Sequence, residues 1–278
     1  MSEVRIRPAR TGDLSSVVRT LTTAFGEPLR ADTWEWLQRS PEGEILVAEG
    51  DGVVVGTGSG LSFGATGWIG GVGVEPGSRG QGIARAVTEG ISEWLRGAGA
   101  RTLLLQATDL GRPVYDRLGF EAEGRYRMWS LPPARRRRRR GAPDGARPLE
   151  PHDFSAVLAL DATATGERRD PAIRAAWSSG GVALADGPGN LQAYHLDSPW
   201  GAGPTVAMDV ASGLALLESA QRPDAGVRVG VPEENGAAVR AMVRRGYDEV
   251  APTLRMRAGE PVPWRPDLVF GVFNPFWG

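Results

Sequence analysis

Val72-Gly73-Val74-Glu75-Pro76-Gly77-Ser78-Arg79-Gly80-Gln81-Gly82-Ile83-Ala84 passes from an apolar strand through a glycine-rich turn into a helix. The helix continues with Val87, Ile91, Trp94 and Leu95 at helical spacing. Glycines let backbone N–H groups approach a ligand closely, and the first turn of a helix offers unpaired donors at the positive end of its dipole. The stretch reads as a cradle for a pyrophosphate, although a purely structural turn uses the same residues. Three nucleotide loops do not fit it. There is no GKS or GKT ending, no G-x-G-x-x-G placed after the first strand of a βαβ unit, and no acidic residue at the ribose-binding spacing.

Strands and helices alternate on both sides of this stretch. Residues 4–7 predict a short strand, and Asp13 can cap the turn before Leu14, Val17, Val18 and Leu21. A second helix holds Trp34, Trp36 and Leu37; residues 44–48 and 53–62 predict strands joined by the Gly50-Asp51-Gly52 turn. Further strands are expected at 68–74, 101–106 and 126–131, with a short helix at 112–118. Pro132-Pro133 leads into six consecutive arginines, 135–140, and then Gly141-Ala142-Pro143-Asp144-Gly145, which reads as a solvated linker. The expected division is therefore 1–132, a linker at 133–146, and 147–278.

The second part loosely repeats the first. Arg147-Pro148-Leu149 followed by Asp153 echoes Arg7-Pro8-Ala9 followed by Asp13, and Gly246-Tyr247 echoes Gly119-Phe120. A repeat longer than a hundred residues suggests a duplicated domain.

Composition narrows the chemistry. The chain has 278 residues and a formal charge of −1, so no global field draws in nucleic acid or an anionic membrane. Cysteine is absent, and every one of the 32 basic residues is arginine. Thiolate metal sites, cysteine nucleophiles, lysine Schiff bases and a lysine phosphate anchor are excluded. The two histidines, His152 and His195, cannot make a three-histidine metal site and read as ordinary polar residues; no metal is expected. Residues 1–9 have no long apolar core, and no run reaches 18 apolar residues, so a cytoplasmic protein without a membrane partner is expected.

Arg79, Gly82 and Ala84 form an R-x-x-G-x-A segment, and downstream stands Val114-Tyr115-Asp116-Arg117-Leu118-Gly119-Phe120. Together, over about residues 3–131, these resemble the GNAT acyltransferase superfamily: its pyrophosphate signature, and its L-Y-x-x-L-G-F segment one helix and one strand later. The resemblance implies an α/β fold with a mixed sheet and, for the whole chain, two tandem GNAT-like domains of which the second is degenerate. It also implies acetyl-CoA as cosubstrate and an N-acetyltransferase that moves the acetyl group to a primary amine of a small molecule or peptide. A homodimer is one option for the assembly.

Carried over by position, the backbone of Val72, Gly73 and Val74 would pair with the pantetheine arm, in a gap where this strand splays from the one holding Leu103 to Gln106. The amides of Arg79, Gly80, Gln81, Gly82, Ile83 and Ala84, with Arg85 nearby, would hold the pyrophosphate. Thr108 stands where relatives often have an asparagine that contacts the pantetheine. Tyr115 matches the family's general acid, which would protonate the departing thiolate; the alternative is a core aromatic. Relatives often place a glutamate base on the central strand, where this chain has Ile69, Gly70 and Gly71. Glu27, Asp32 and Glu35 either bind a cationic acceptor or are solvated, and Trp34 and Trp36 are pocket wall or core.

In the second copy, residues 203–209 run almost directly into a helix without a glycine turn, and Met242 stands seven residues after Asn235, at the tyrosine's place. Asp161, Gly166, Glu167, Arg168 and Arg169 read as a surface helix–turn, or as a segment that shapes the acceptor site. The chain closes Phe270-Gly271-Val272-Phe273-Asn274-Pro275-Phe276-Trp277-Gly278. The aromatics predict a packed tail. The resemblance to some multi-domain relatives adds a catalytic option, a carboxylate at Gly278 as proton acceptor. Two other classes stay open: a non-catalytic acyl-CoA-binding sensor, and an RNA-binding protein that uses the arginine run.

Overall fold

The structure, a computed structural model, describes residues 4–130, 142–220 and 228–278. The arginine run at 135–140 lies outside the described residues. Two units form: Met1–Ala122 with Met256–Glu260 and Trp277, and Glu123–Arg255 with Pro261–Phe276 and Gly278.

The first unit runs β1 (Arg5–Pro8), α1 (Leu14–Phe25), α2 (Ala31–Arg39), β2 (Gly43–Gly50), β3 (Val53–Ser62), β4 (Thr66–Val74), α3 (Ile83–Gly97), β5 (Thr102–Ala107) and α4 (Arg112–Arg117). Its strands lie in the order β1-β2-β3-β4-β5, antiparallel except for the parallel β4–β5 pair. Beside β5 the unit takes up a segment from far downstream, Met256–Glu260, where the Glu260 carbonyl accepts from Thr102 Oγ1 at 2.8 Å.

Helix α3 packs on this sheet through glycines. A Cβ on Gly56 would stand 2.6 Å from Ile83, on Gly58 2.5 Å from Val87, on Gly60 2.9 Å from Ile91, and on Gly67 2.6 Å from Leu95. These four helix residues are spaced four apart, so one apolar stripe of α3 fits where β3 and β4 lack side chains.

The second unit contains most of β6 (Glu121–Ser130), then β7 (Arg147–Pro148), α5 (Phe154–Thr165), α6 (Asp170–Trp177), β8 (Gly181–Ala185), β9 (Leu191–Leu196) and β10 (Thr205–Ala207). There follow α7 (Val210–Ala220), β11 (Arg228–Pro232), α8 (Gly236–Arg244), β12 (Asp248–Glu249), the first half of β13 (Thr253–Gly259) and β14 (Val269–Gly271). Five strands pair in the order β14-β10-β9-β8-β7, and β6 lies beside β11, antiparallel. The strand read at 126–131 thus begins earlier, at Glu121, and pairs within the second unit.

Duplication is visible at each start. Asp13 accepts from Arg7 Nη1 at 2.6 Å and from Arg10 N at 2.7 Å; Asp153 accepts from Arg147 Nη1 at 2.6 Å and from Glu150 N at 2.8 Å. Both carboxylates close a 3₁₀ turn and make no cap to the α-helix that follows, which places the expected Asp13 cap one turn earlier. Both following helices have 12 residues and end at a glycine with φ +72°, Gly26 and Gly166. Such a left-handed C-cap suits glycine, which carries no Cβ to clash.

No helix among the described residues is long and apolar enough to cross a membrane.

Candidate active site

The central feature is the end of the β4–β5 pairing. Register runs Thr66↔Thr102 to Ile69↔Leu105 and stops there, although both strands continue. Against β3, Ser59 pairs with Gly70 and Thr57 with Gly73, so two residues of β4, Gly71 and Val72, oppose one of β3, Gly58. This is a β-bulge, which bends its strand and interrupts the ladder. Side-chain parity records it. Gly67 faces Leu95 of α3, whereas Gly71 and Gly73 face Trp34 of α2 and Leu21 of α1; unbroken alternation would put all three on one face. Val72, Gly73 and Val74 have no partner on β5: in the same register they would face residues 108–110, past the end of that strand at Ala107, and this is the edge expected to pair with the pantetheine arm.

Gly71 explains the missing strand carboxylate. Its φ is +59°, and a Cβ there would overlap the buried Trp34 ring. No glutamate fits at this position while Trp34 holds its place.

Beyond β4, Pro76–Ser78 makes a 3₁₀ turn and α3 starts at Ile83. Gly80 and Gly82 have φ +77° and +79°, and no protein atom lies within 4 Å of a Cβ added to either. Gly82 is the N-cap of α3 and provides no side-chain acceptor; the first turn has no acidic residue. The helix start thus keeps its unpaired amides and its positive dipole end beside open space, an arrangement that suits a diphosphate. Arg79 braces the loop: its Nε donates to Val74 O at 3.2 Å and its Nη2 to Ala24 O at 3.4 Å. Exposed Arg85 pairs with Glu89 at 2.9 Å, and Gln81 is exposed.

Tyr115 lies on α4 with 8% of its surface exposed, edge-on to Phe120 at 6.0 Å. Burial alone raises its pKa above the ordinary tyrosine value, so the phenol keeps its proton. The Thr108 hydroxyl accepts from Gly111 N at 3.2 Å, in the turn that leads into α4.

On the acceptor side, Asp32 pairs with Arg30, which lowers its pKa, and Glu35 pairs with Arg39 at 3.4 Å on the exposed face of α2. Glu27 is half-buried in the loop after α1. Trp34 is buried and contributes core, and Trp36 is half-buried. Trp277 meets both: its ring lies 6.2 Å from Trp34 and 5.6 Å from Trp36. Trp277 lies so far downstream of Trp34 and Trp36 that no local signal in the sequence links them. Gly71 had one, since paired glycines inside a strand mark a bulge.

The acetyltransferase (GNAT) family profile matches residues 14–120. Over these residues the chain matches the GNAT family. Among solved structures, a Pyrococcus horikoshii candidate acetyltransferase is 22% identical over 99% of this chain and 96% of its own, with TM-score 0.81. A GNAT-type glucosamine N-acetyltransferase region of a fungal multi-domain β-N-acetylglucosaminidase is 15% identical (92% and 38% covered, TM-score 0.63). A tandem GNAT protein from the clavulanic acid biosynthesis pathway is 16% identical (93% and 99%, TM-score 0.61). At these identities the likeness is one of fold, and the chain has the tandem GNAT fold. A comparison with curated sequences finds no match.

The second GNAT-like unit has its own occupant at the corresponding helix start. Asp209 accepts from Ser212 N at 2.9 Å and Ser212 Oγ at 2.7 Å, so a carboxylate stands at the start of α7. Met242, at the tyrosine's place, is fully buried in the core. Asn235 caps α8 through Ala238 N at 3.1 Å and donates to Val269 O at 2.9 Å. Of the segment read as a surface helix–turn, Arg168 is exposed, but Asp161, Glu167 and Arg169 are interior: Asp161 is 0% and Arg169 3% exposed, joined at 2.6 Å, with the Tyr194 hydroxyl donating to Asp161. Charge there is compatible with burial because each group is paired. Arg169 Nη1 also donates to Gly278 O at 3.0 Å, and that oxygen accepts from Phe273 N at 3.0 Å.

Proposed function

We propose that the first unit is an acetyl-CoA-dependent N-acetyltransferase acting on a primary amine. The observation that carries this reading is the adjacency, along one strand, of the unpaired edge at Val72, Gly73 and Val74 and the open, uncapped glycine turn that follows it. A thioester cosubstrate with a diphosphate needs both: strand edge for its amide-bearing arm, and helix-start amides for its anionic group. Val72 to Val74 would hold the arm, and Arg79, Gly80, Gln81, Gly82, Ile83 and Ala84 the diphosphate. When bound, acetyl-CoA supplies the activated acyl group. A backbone N–H near Val74 would stabilise developing negative charge on the acyl oxygen. The protonated Tyr115 would act as general acid toward the thiolate. Trp34, Glu27 and Glu35 lie on the elements proposed to face the acceptor.

Thiol release from acetyl-CoA with glucosamine, spermidine, an aminoglycoside and a short peptide amine tests this reading, alongside calorimetric titration with acetyl-CoA. Binding with no release from a wide amine panel favours the sensor alternative, and absence of binding overturns both. The proposed proton acceptor at Gly278 is tested separately by appending a few residues after it. Turnover at the unmodified level removes that role.

A further inference from the structure

We infer that Trp277 is a positioning residue for the acyl-carrying gap of the first unit, acting through Trp34 on the bulge at Gly71. The inference rests on the N-acetyltransferase reading and adds to it a residue from the far end of the chain. Trp277 is 1% exposed and belongs to the first unit. Its ring meets Trp34 edge-on at 6.2 Å and an interplanar angle of 75°. Trp34 is equally buried, and the far rim of its indole fills the space where Gly71 has no Cβ. Gly71, in turn, holds the left-handed backbone conformation of the bulge, φ +59°.

The line of contact is therefore Trp277, Trp34, Gly71, bulge, gap. Each step is close packing, and packed interiors transmit a displacement instead of absorbing it. Removal of the Trp277 ring takes away the support behind Trp34. The indole can then relax away from Gly71, and β4 regains freedom to resume its ladder with β5 past Ile69. The gap would narrow, while the glycine turn at Gly80 and Gly82, which follows β4 and is not part of this line of contact, would keep its geometry. Affinity for the arm of the cosubstrate should depend on Trp277, and affinity for the diphosphate alone should not.

The test uses the full chain and two probes, acetyl-CoA and 3′-phospho-ADP, which keeps the diphosphate and lacks the pantetheine arm. Trp277→Ala should weaken acetyl-CoA binding about tenfold, within the usual range for such couplings, and change 3′-phospho-ADP binding less than about twofold. Trp277→Phe, which keeps an aromatic edge, should restore most of the loss. In the Trp34→Phe background, Trp277→Ala should have a smaller effect than in the natural sequence, because the two residues act in series. Should Trp277→Ala not fold, Trp277→Leu retains apolar bulk and is measured with the same probes. Equal weakening of both probes, unchanged acetyl-CoA affinity, or full additivity with Trp34→Phe would each overturn the inference. Failure of the unsubstituted protein to bind either probe would instead remove the acetyltransferase reading itself.

Discussion

Replacing Gly82 by alanine should separate the ligand's requirement from the fold's. Gly82 has φ +79°, and a methyl group added there meets no protein atom within 4 Å. Gly64 supplies the control: its φ is +77°, it too has nothing within 4 Å, and it lies at the opposite end of β4 from the glycine turn. For both positions the stability cost is that of holding an L-residue in the left-handed region, about 1–2 kcal/mol. Urea unfolding of the two variants should therefore give similar losses. Binding should not behave alike. A methyl group at Gly82 stands where the diphosphate would approach the start of α3, displacing one or more charge-assisted amide contacts worth about 1.5–3 kcal/mol each. That corresponds to a loss of roughly 10- to 100-fold in acetyl-CoA affinity for Gly82→Ala, against a change within about twofold for Gly64→Ala. Calorimetric titration of both folded variants decides. Equal affinities would show that the open space beside Gly82 is not where the anion binds.

Tyr115→Phe should lower turnover by about 10²- to 10⁴-fold with acetyl-CoA affinity nearly unchanged, in steady-state and binding measurements made side by side. A titration should reach saturation at one acetyl-CoA per chain, because Asp209 already occupies the helix start in the second unit; two equivalent sites would refute that. The Asp153 carboxyl is held at a pKa of about 2 by the Arg147 guanidinium, below its unfolded value of about 3.9. Its contribution is thus complete above about pH 4 and fades as the pH falls through about 2. Asp153→Asn should cost about 2 kcal/mol at neutral pH in urea unfolding, and its deficit should shrink steadily over that acid range.

The glycine turn, the helix after it and the Tyr115 segment were legible because each is local: a strand, a turn and a helix within a dozen residues carry their own signals. The repeat was legible from Arg7 to Asp13 and Arg147 to Asp153, since identical spacing gives identical ion pairs. What the sequence concealed is non-local. Asp161 and Arg169 look like solvated charges until folding brings them to each other and to Tyr194. Glycines at 56, 58, 60 and 67 look like weak strand positions until the stripe of α3 is laid across them. The second neighbour of β5, the downstream segment at Met256–Glu260, could not be read at all, because strand pairing across so long an interval leaves no periodic trace.

That pairing sets a timetable for the ribosome. Ala107 ends β5 about 150 residues before its neighbour at Met256 is made, and at 5–20 residues per second the wait is roughly 8–30 s. Until then the nascent first unit holds β5 as an open edge of Thr102-Leu103-Leu104-Leu105-Gln106-Ala107, an apolar template of the kind that recruits stray strands. Synthesis of this chain should therefore depend on chaperone cover, or on slow translation at low temperature, more than its final stability would suggest.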